Sequence, residues 1–510
     1  MPFVEGAYSI RPMSPSNLLP VSIAALGLCA QLSCAWAADA TPAADAPSFQ
    51  PCRLEHRTRL ASFAAECTTL RVPEDRQTPQ GRQLELRIAR IPAISRRKAP
   101  DPLFLIAGGP GSGTADMYPE VAAAFARIGR DRDIVLVDQR GTGGSNALQC
   151  KPEDPDAVDV STAASVAQAA DCLAALRQRS DPAQYTSSVA VQDLDRVREA
   201  LGYERINIYG VSYGSRVAQH YLRRFPQRVR SLILDGVVPP GLVLGPDIAL
   251  DAEAALTRIL GRCAADRACA ASFGDPTELY RRLRARLEQG PVTVSLADPT
   301  TGQGRTMSFT KQHLGVVLRL QSYSSTTASL LPLALHEAIA SDNFVPLAGL
   351  FRMTAANLGD TISAGMHNSV VCTEDAPGFE NKAVDRAQLQ RTYIGAEQID
   401  ALIAVCRSWP RGPLDADFHQ PLRSNAPVLL LSGEDDPVTP PAGAEAAMRG
   451  LANARHLRLA AQGHGQIGVT CMDRVVADFI RDLAPRQLDA RCLDAVKPAP
   501  FFTSLAGPAP

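Results

Sequence analysis

Residues 205–225, RINIYGVSYGSRVAQHYLRRF, constrain the fold of this chain more than any other stretch. Residues 205–209 read as a short buried strand, and Val217, Tyr221, Leu222 and Phe225 recur at helical spacing just beyond it. Between them, Gly210-Val211-Ser212-Tyr213-Gly214 leaves no length for a loop, so strand must pass into helix through one sharp turn. A serine at the apex of such a turn takes strained backbone angles, which small neighbours permit, and its hydroxyl is lifted clear of the sheet. The pattern also arises by chance, so its surroundings must decide whether Ser212 is reactive or one more hydroxyl in a glycine-rich turn.

Around this turn, short apolar runs alternate with amphipathic ones. Residues 84–91, 103–107, 134–137, 206–209 and 232–234 read as strands, while Ala190, Leu194, Val197 and Leu201 mark one face of a helix that Gly202 ends. Alternation of this kind predicts an α/β architecture, a mostly parallel sheet with helices on both faces. The pattern changes after Pro239-Pro240. Residues 241–422 are mainly helical, with a polar hairpin-like stretch around 292–309, and buried strands then return at 427–431 and 456–459. One sheet interrupted by a helical insertion explains this better than three separate domains. The expected organisation is a leader (1–37), a linker (38–50), a sheet core in two parts (51–240 and 423–496), a helical cap (241–422) and a flexible Pro-rich tail (497–510).

A serine hydroxyl attacks only when a histidine removes its proton, and that histidine needs a carboxylate to orient it. In parallel sheets such groups sit at the C-terminal ends of strands. VLLLSGEDDPVTPP places Asp435 and Asp436 directly after a buried strand, and LRLAAQGHG places His464 after the next. Asp436 is the candidate acid, with Asp435 as its rival. His464 is the candidate base, because His220, His313 and His336 lie in helical patterns and His56, His367, His419 and His456 lack the strand-then-glycine setting. The charge developing on a substrate carbonyl also needs donors. LFLIAGGPGSG sets Gly108-Gly109-Pro110-Gly111 at a strand end, so the backbone N–H groups of Gly109 and Tyr213 are the candidate oxyanion pair. Asp138, Arg140 and Gly141 read as support for that loop, with an Asp138–Arg140 charge pair expected.

Charge narrows the possible partners. Lys plus Arg number 52 against 53 for Asp plus Glu, a net charge of −1, and that argues against nucleic acid or an anionic membrane surface as partner. Arg11, the apolar run 18–32 and Ala35-Trp36-Ala37 make an export leader with a small-x-small cleavage site; Pro20 and Gln31 interrupt the run, which argues against a membrane anchor. The expected location is periplasmic or secreted, with no stable membrane insertion once the leader is removed. Removing the leader leaves ten cysteines, which fall into sequential pairs 52–67, 150–172, 263–269, 372–406 and 471–492. Sequence leaves other connectivities open, although an oxidising compartment disfavours ten free thiols.

GGPG at 108–111, DQRGTGGS at 138–145, GVSYG at 210–214, GEDDPVTP at 433–440 and GHG at 463–465 together resemble the α/β-hydrolase fold. Within it, they resemble the proline iminopeptidase and tripeptidyl aminopeptidase group of serine exopeptidases. Ala107 stands where a histidine often precedes the two glycines, and the paired cysteines look more like the secreted tripeptidyl branch. The resemblance implies an exported aminopeptidase that releases an N-terminal residue, often proline, or a short peptide through an acyl-enzyme on Ser212, without metal or cofactor. A carboxylesterase or lipase-like hydrolase acting on small esters is the alternative, and a non-catalytic binding module a more distant one. In the resembled exopeptidases, acidic residues of the cap hold the substrate's free amine. Glu374, beside Cys372, is the candidate here, with Asp375 next in line, and a solvated or helix-capping acid is the plainer reading of Glu374.

Overall fold

A computed structural model describes residues 47–56, 61–150, 161–297, 302–379 and 384–508, so the leader and most of the linker lie outside the described residues. Nine strands form one sheet: β1 (Gln50–Glu55), β2 (Ser62–Pro73), β3 (Gln83–Ile91), β4 (Leu103–Ile106), β5 (Ile134–Val137), β6 (Ile206–Val211), β7 (Val229–Asp235), β8 (Val428–Gly433) and β9 (Ala454–Leu459). Their spatial order is β1-β2-β3-β5-β4-β6-β7-β8-β9. From β5 to β9 every neighbouring pair is parallel, whereas β1, β2, β3 and β5 pair antiparallel.

The composition of the strands explains the division. β4 is LFLI, β5 is IVLV and β8 is VLLLSG, each buried along its whole length, as parallel strands covered on both faces must be. β2 and β3 carry Glu, Thr and Arg in alternation with Leu, Val and Ile, so one face can meet water. One core cluster, with Phe104, Val137, Ile208 and Leu234, lies on one face of the sheet, and a second, with Leu105, Leu136, Tyr209 and Phe479, on the other. The expected mostly parallel α/β-hydrolase sheet is present, extended by two antiparallel edge strands that the sequence pattern left unassigned.

Between β7 and β8 the described chain is helical, from Asp247–Ala265 to Glu397–Cys406, apart from one antiparallel hairpin, Val292–Ala297 with Gly304–Phe309. This segment has its own core, including Leu256, Ile259, Leu283, Leu318 and Phe351, while Met366, Val370 and Cys372 join the core of the sheet. The tail expected to be flexible packs instead. Phe501 is buried in the core of the insertion, the Phe502 N–H donates to the Ser329 carbonyl (3.1 Å), and Phe502–Ser504 pairs with Gly507–Pro508. Two adjacent aromatics among prolines give little periodicity to read, yet Phe501 and Phe502 hold the segment down. The five cysteine pairs are all joined as disulfides in the sequential order.

Candidate active site

Ser212 sits between β6 and the helix Tyr213–Arg224, with φ 56° and ψ −126°. Non-glycine residues rarely adopt positive φ, so the turn carries the strain its sequence implied. The flanking glycines allow the close packing: a Cβ on Gly210 would meet the Gly214 carbonyl oxygen at 2.3 Å, and one on Gly214 would meet that of Ile106 at 2.3 Å. The Ser212 N–H donates to the Asp235 carbonyl (2.8 Å), and its own carbonyl accepts from the N–H (2.9 Å) and hydroxyl (2.6 Å) of Ser215. Gly108, at the end of β4, abuts the serine, since a Cβ there would lie 3.0 Å from the Ser212 Cβ. Gly109 in the same loop has φ 112°. Tyr213 opens its helix, where the N–H has no intrahelical acceptor and the helix dipole is positive.

His464 and Asp436 meet at the ends of β9 and β8. Nδ1 of His464 lies 2.8 Å from Oδ2 of Asp436. The same oxygen accepts the Thr439 hydroxyl (2.7 Å), and Oδ1 accepts the N–H groups of Val438 and Thr439 (2.8 Å each). Burial opposes ionisation of Asp436, but the charge and hydrogen bond of His464, with the donors of Thr439, hold its carboxyl below the usual range. Burial likewise opposes the imidazolium, yet Asp436 holds His464 above its ordinary value. The two shifts agree in sign, as mutual stabilisation of an ion pair requires. Asp435, the rival, turns the other way to pair with Arg258 (3.0 Å) and Arg262 on the first helix of the insertion.

Asp235, at the end of β7, is a member of this site that the sequence pattern did not single out. Its buried carboxylate accepts the Tyr209 hydroxyl (2.8 Å) and the N–H groups of Gln466 (2.7 and 2.8 Å) and Ile467 (3.0 Å), just past the histidine. Burial pushes its pKa up to about 6. LILDG reads as a strand running into a turn, and its partners Gln466 and Ile467 lie more than 230 residues away. Tyr323, from the insertion, supports the base from another side: its carbonyl accepts the His464 N–H (2.7 Å), and the two rings stand edge to face at 5.0 Å.

The expected Asp138–Arg140 pair does not form. Arg140 is fully buried and grips Asp193 through two bonds (2.6 and 2.9 Å), while Asp138 accepts the N–H groups of Ala115 (2.8 Å) and Gly144 (2.9 Å). Asp138 braces the segment that follows the glycine loop, through Ala115, whereas Arg140 ties Asp193 to the carbonyls of Pro73, Glu74 and Gln184. The chain leaves β5 and turns at Arg140, and the helix bearing Asp193 supplies the acid that its guanidinium meets.

Glu374 is neither solvated nor distant. It ends the helix Ala364–Glu374, is buried, and accepts from the N–H (2.7 Å) and hydroxyl (3.0 Å) of Ser187. That hydroxyl also meets the hydroxyl of Tyr213 at 2.7 Å, which places Glu374 two hydrogen bonds from the residue after Ser212. Burial raises its pKa to about 7 despite Arg216 nearby. Asp375 is engaged elsewhere, by Arg216 at 3.0 and 3.1 Å and the Leu244 N–H at 2.9 Å. The same helix approaches the glycine loop, where the Ser363 N–H donates to the Gly111 carbonyl (3.0 Å). Among the described residues, no cluster of three or more His, Cys, Asp or Glu side chains could hold a metal ion.

A strained serine at a strand-to-helix turn, beside a glycine loop and near a histidine–aspartate pair carried on the next strands, belongs to a serine hydrolase of the α/β-hydrolase fold. Comparison with known proteins agrees: residues 101–261 match the family model described as alpha/beta hydrolase fold, and residues 391–492 match that of TAP-like protein. Serine protease Hip1 of Mycobacterium tuberculosis is 26% identical over 77% of this chain and 80% of its own length. Carboxylesterase B of the same species is 28% identical over 74% of this chain and 76% of its own. The tripeptidyl aminopeptidase of Streptomyces lividans is 33% identical over a shorter stretch, 34% of this chain and 36% of its own. The chain is thus an α/β-hydrolase serine peptidase/hydrolase.

Proposed function

We propose that the protein is an exported serine aminopeptidase. Ser212 attacks the scissile carbonyl, and His464 accepts its proton and returns it to the leaving amine. Asp436 holds the imidazole in the productive tautomer, and the N–H groups of Gly109 and Tyr213 stabilise the oxyanion. Water then releases the acyl-enzyme. The observation that carries this reading is the Ser212 backbone at φ 56° together with the 2.8 Å bond from His464 to Asp436. The free amine of the substrate pairs with Glu374, whose buried position next to Tyr213 supports the discrimination of chain ends from internal bonds. Five disulfides support an oxidising location, and among the described residues no helix is long and apolar enough to cross a membrane.

The test is labelling with a fluorophosphonate, followed by turnover of matched aminoacyl amides and simple esters. Labelling should occur on wild type and vanish in Ser212→Ala; labelling that persists would remove Ser212 as the nucleophile. The relative named carboxylesterase B keeps the esterase alternative in view. Turnover of esters with no turnover of peptides bearing a free amine would decide for it.

A further inference from the structure

His464 has further to travel than the other groups of the site. It follows β9, which lies three strand spacings from β6, roughly 14 Å across the sheet. The loop from Leu459 must therefore run back over the ends of β8 and β7 before the imidazole can meet Ser212. It is held at both. Just after β8, the Asp435 N–H donates to the Gln462 carbonyl (2.9 Å). At the end of β7, the Asp235 carboxylate accepts from the N–H groups of Gln466 (2.7 and 2.8 Å) and Ile467 (3.0 Å). Gln466 also closes the loop on itself, donating through Nε2 to the Gly463 carbonyl (2.8 Å), so what Asp235 holds is the turn that carries His464.

The backbone of Asp235 is fixed from both sides, in register with Val211 of β6 and Leu431 of β8. Its carbonyl accepts the Ser212 N–H (2.8 Å). One residue thus grips the turn of the nucleophile by its main chain and the turn of the base by its side chain. The few covalent bonds between the two grips set their separation. The side chain also suits its partners in charge. The Tyr209 hydroxyl and two backbone N–H groups all donate to a fully buried carboxylate, and an amide there would turn donors of its own toward them. The charge of His464 favours ionisation of Asp235, and that of Asp235 favours the imidazolium. The other groups facing the imidazole are Asp436 and the Thr439 hydroxyl on one side, and Tyr323 and Arg319 of the insertion on the other. An imidazolium forms only once His464 has taken the serine proton, so the charge of Asp235 acts as the transition state is reached.

We propose that Asp235 is a positioning residue of the reaction: it sets the distance between Ser212 and the His464 imidazole, and its negative charge adds to that of Asp436 in stabilising the protonated base. The geometry of nucleophile and base then depends on a fourth residue that hydrogen-bonds to neither of their side chains. This rests on Ser212 and His464 in the roles given above and not on the class of substrate, so it holds for amide and ester alike.

Asp235→Asn is the test, read with nitrophenyl acetate and an aminoacyl amide after the competent sites have been counted by fluorophosphonate titration, so that misfolded molecules do not enter the rate. On every substrate turned over, kcat per site should fall by about a hundredfold, the effect of a displacement near 1 Å in a reacting pair, with KM changed by less than about threefold. The midpoint of the kcat/KM limb should move to lower pH, because the imidazolium has lost one of two carboxylates. Tyr209→Phe keeps the carboxylate but removes a donor that orients it, and should lower kcat by about three- to tenfold at the KM of wild type. A kcat per site within about threefold of wild type in Asp235→Asn would overturn the positioning role, and an unmoved limb would overturn the role of the charge. If Asp235→Asn does not fold, Tyr209→Phe decides, and an unchanged kcat there overturns the proposal. Labelling that persists in Ser212→Ala would instead remove the nucleophile on which the proposal stands, and activity on esters alone would remove only the peptidase reading.

Discussion

The sheet and the insertion solve different problems. In the sheet, each chemical group stands at the C-terminal end of a strand: Ser212 after β6, Asp235 at the end of β7, Asp436 after β8 and His464 after β9. Strand pairing sets the spacing of these ends, so the positions are fixed by backbone geometry rather than by contacts among the side chains themselves. The insertion has its own core and no strand of the central sheet, and it reaches the site through contacts such as Tyr323 to His464 and Glu374 to Ser187. On the proposed mechanism, reactivity belongs to the first region and selectivity to the second. Substitutions should divide along the same line.

The sharpest break comes from the two adjacent aspartates. Asp436→Asn should lower kcat by about 10⁴-fold, because the amide stabilises the wrong tautomer of His464, whereas Asp435→Asn should lower it by less than about tenfold. Similar losses in steady-state kinetics would mean that the ion pairs of Asp435 with the insertion matter as much as the triad geometry.

Next in size is Glu374→Gln. It should raise KM for peptides with a free amine by roughly ten- to a hundredfold, the cost of leaving an ammonium unpaired in a buried pocket, with a much smaller change for N-acetylated peptides or nitrophenyl acetate. Equal losses on all substrates would move Glu374 from selectivity to folding.

A smaller effect concerns pH. His464 must be neutral to accept the proton of the serine, and Asp436 holds its pKa above the ordinary value of 6.5. Activity should therefore rise with pH through a midpoint above 6.5 in kcat/KM, and Asp436→Asn should move the residual limb to lower pH. The same shift stabilises the fold below about pH 6.5, a contribution lost as pH rises through the folded-state value. A limb below 6.5 in wild type would separate the base from its acid.

The least effect on chemistry should come from the tail. Phe501→Ala should cost about 3 kcal/mol in the core of the insertion, read as a lower Tm, while kcat at moderate temperature changes little. A large fall in kcat would show that packing in the insertion sets the geometry of the sheet groups after all.

What could be read from sequence follows the same division. Uninterrupted apolar runs such as LFLI, IVLV and VLLL announce buried parallel strands, and a glycine or an Asp-Asp-Pro after each marks a functional loop. β1 and β2 escaped because one face of each is wet, so polar residues dilute their apolar pattern. The choice between Asp435 and Asp436 needed the structure, since both follow the same strand and only the path of the turn decides which carboxylate faces the histidine. Asp193 could not be foreseen as the partner of Arg140, nor Tyr323 as a neighbour of His464, because sequence does not reveal which helix faces packed against which. The role of Asp235 was hidden for another reason: beyond the Tyr209 hydroxyl, its carboxylate binds backbone N–H groups, which every residue but proline possesses.

Asp235 also bears on how the protein is made. Its carbonyl holds the serine turn and its carboxylate holds the residues after His464, yet the whole insertion separates β7 from β8 in the chain. A nascent chain emerging from the ribosome completes the serine turn early but gains the base only at residue 464 of 510. On the proposed mechanism, every shorter intermediate is chemically silent.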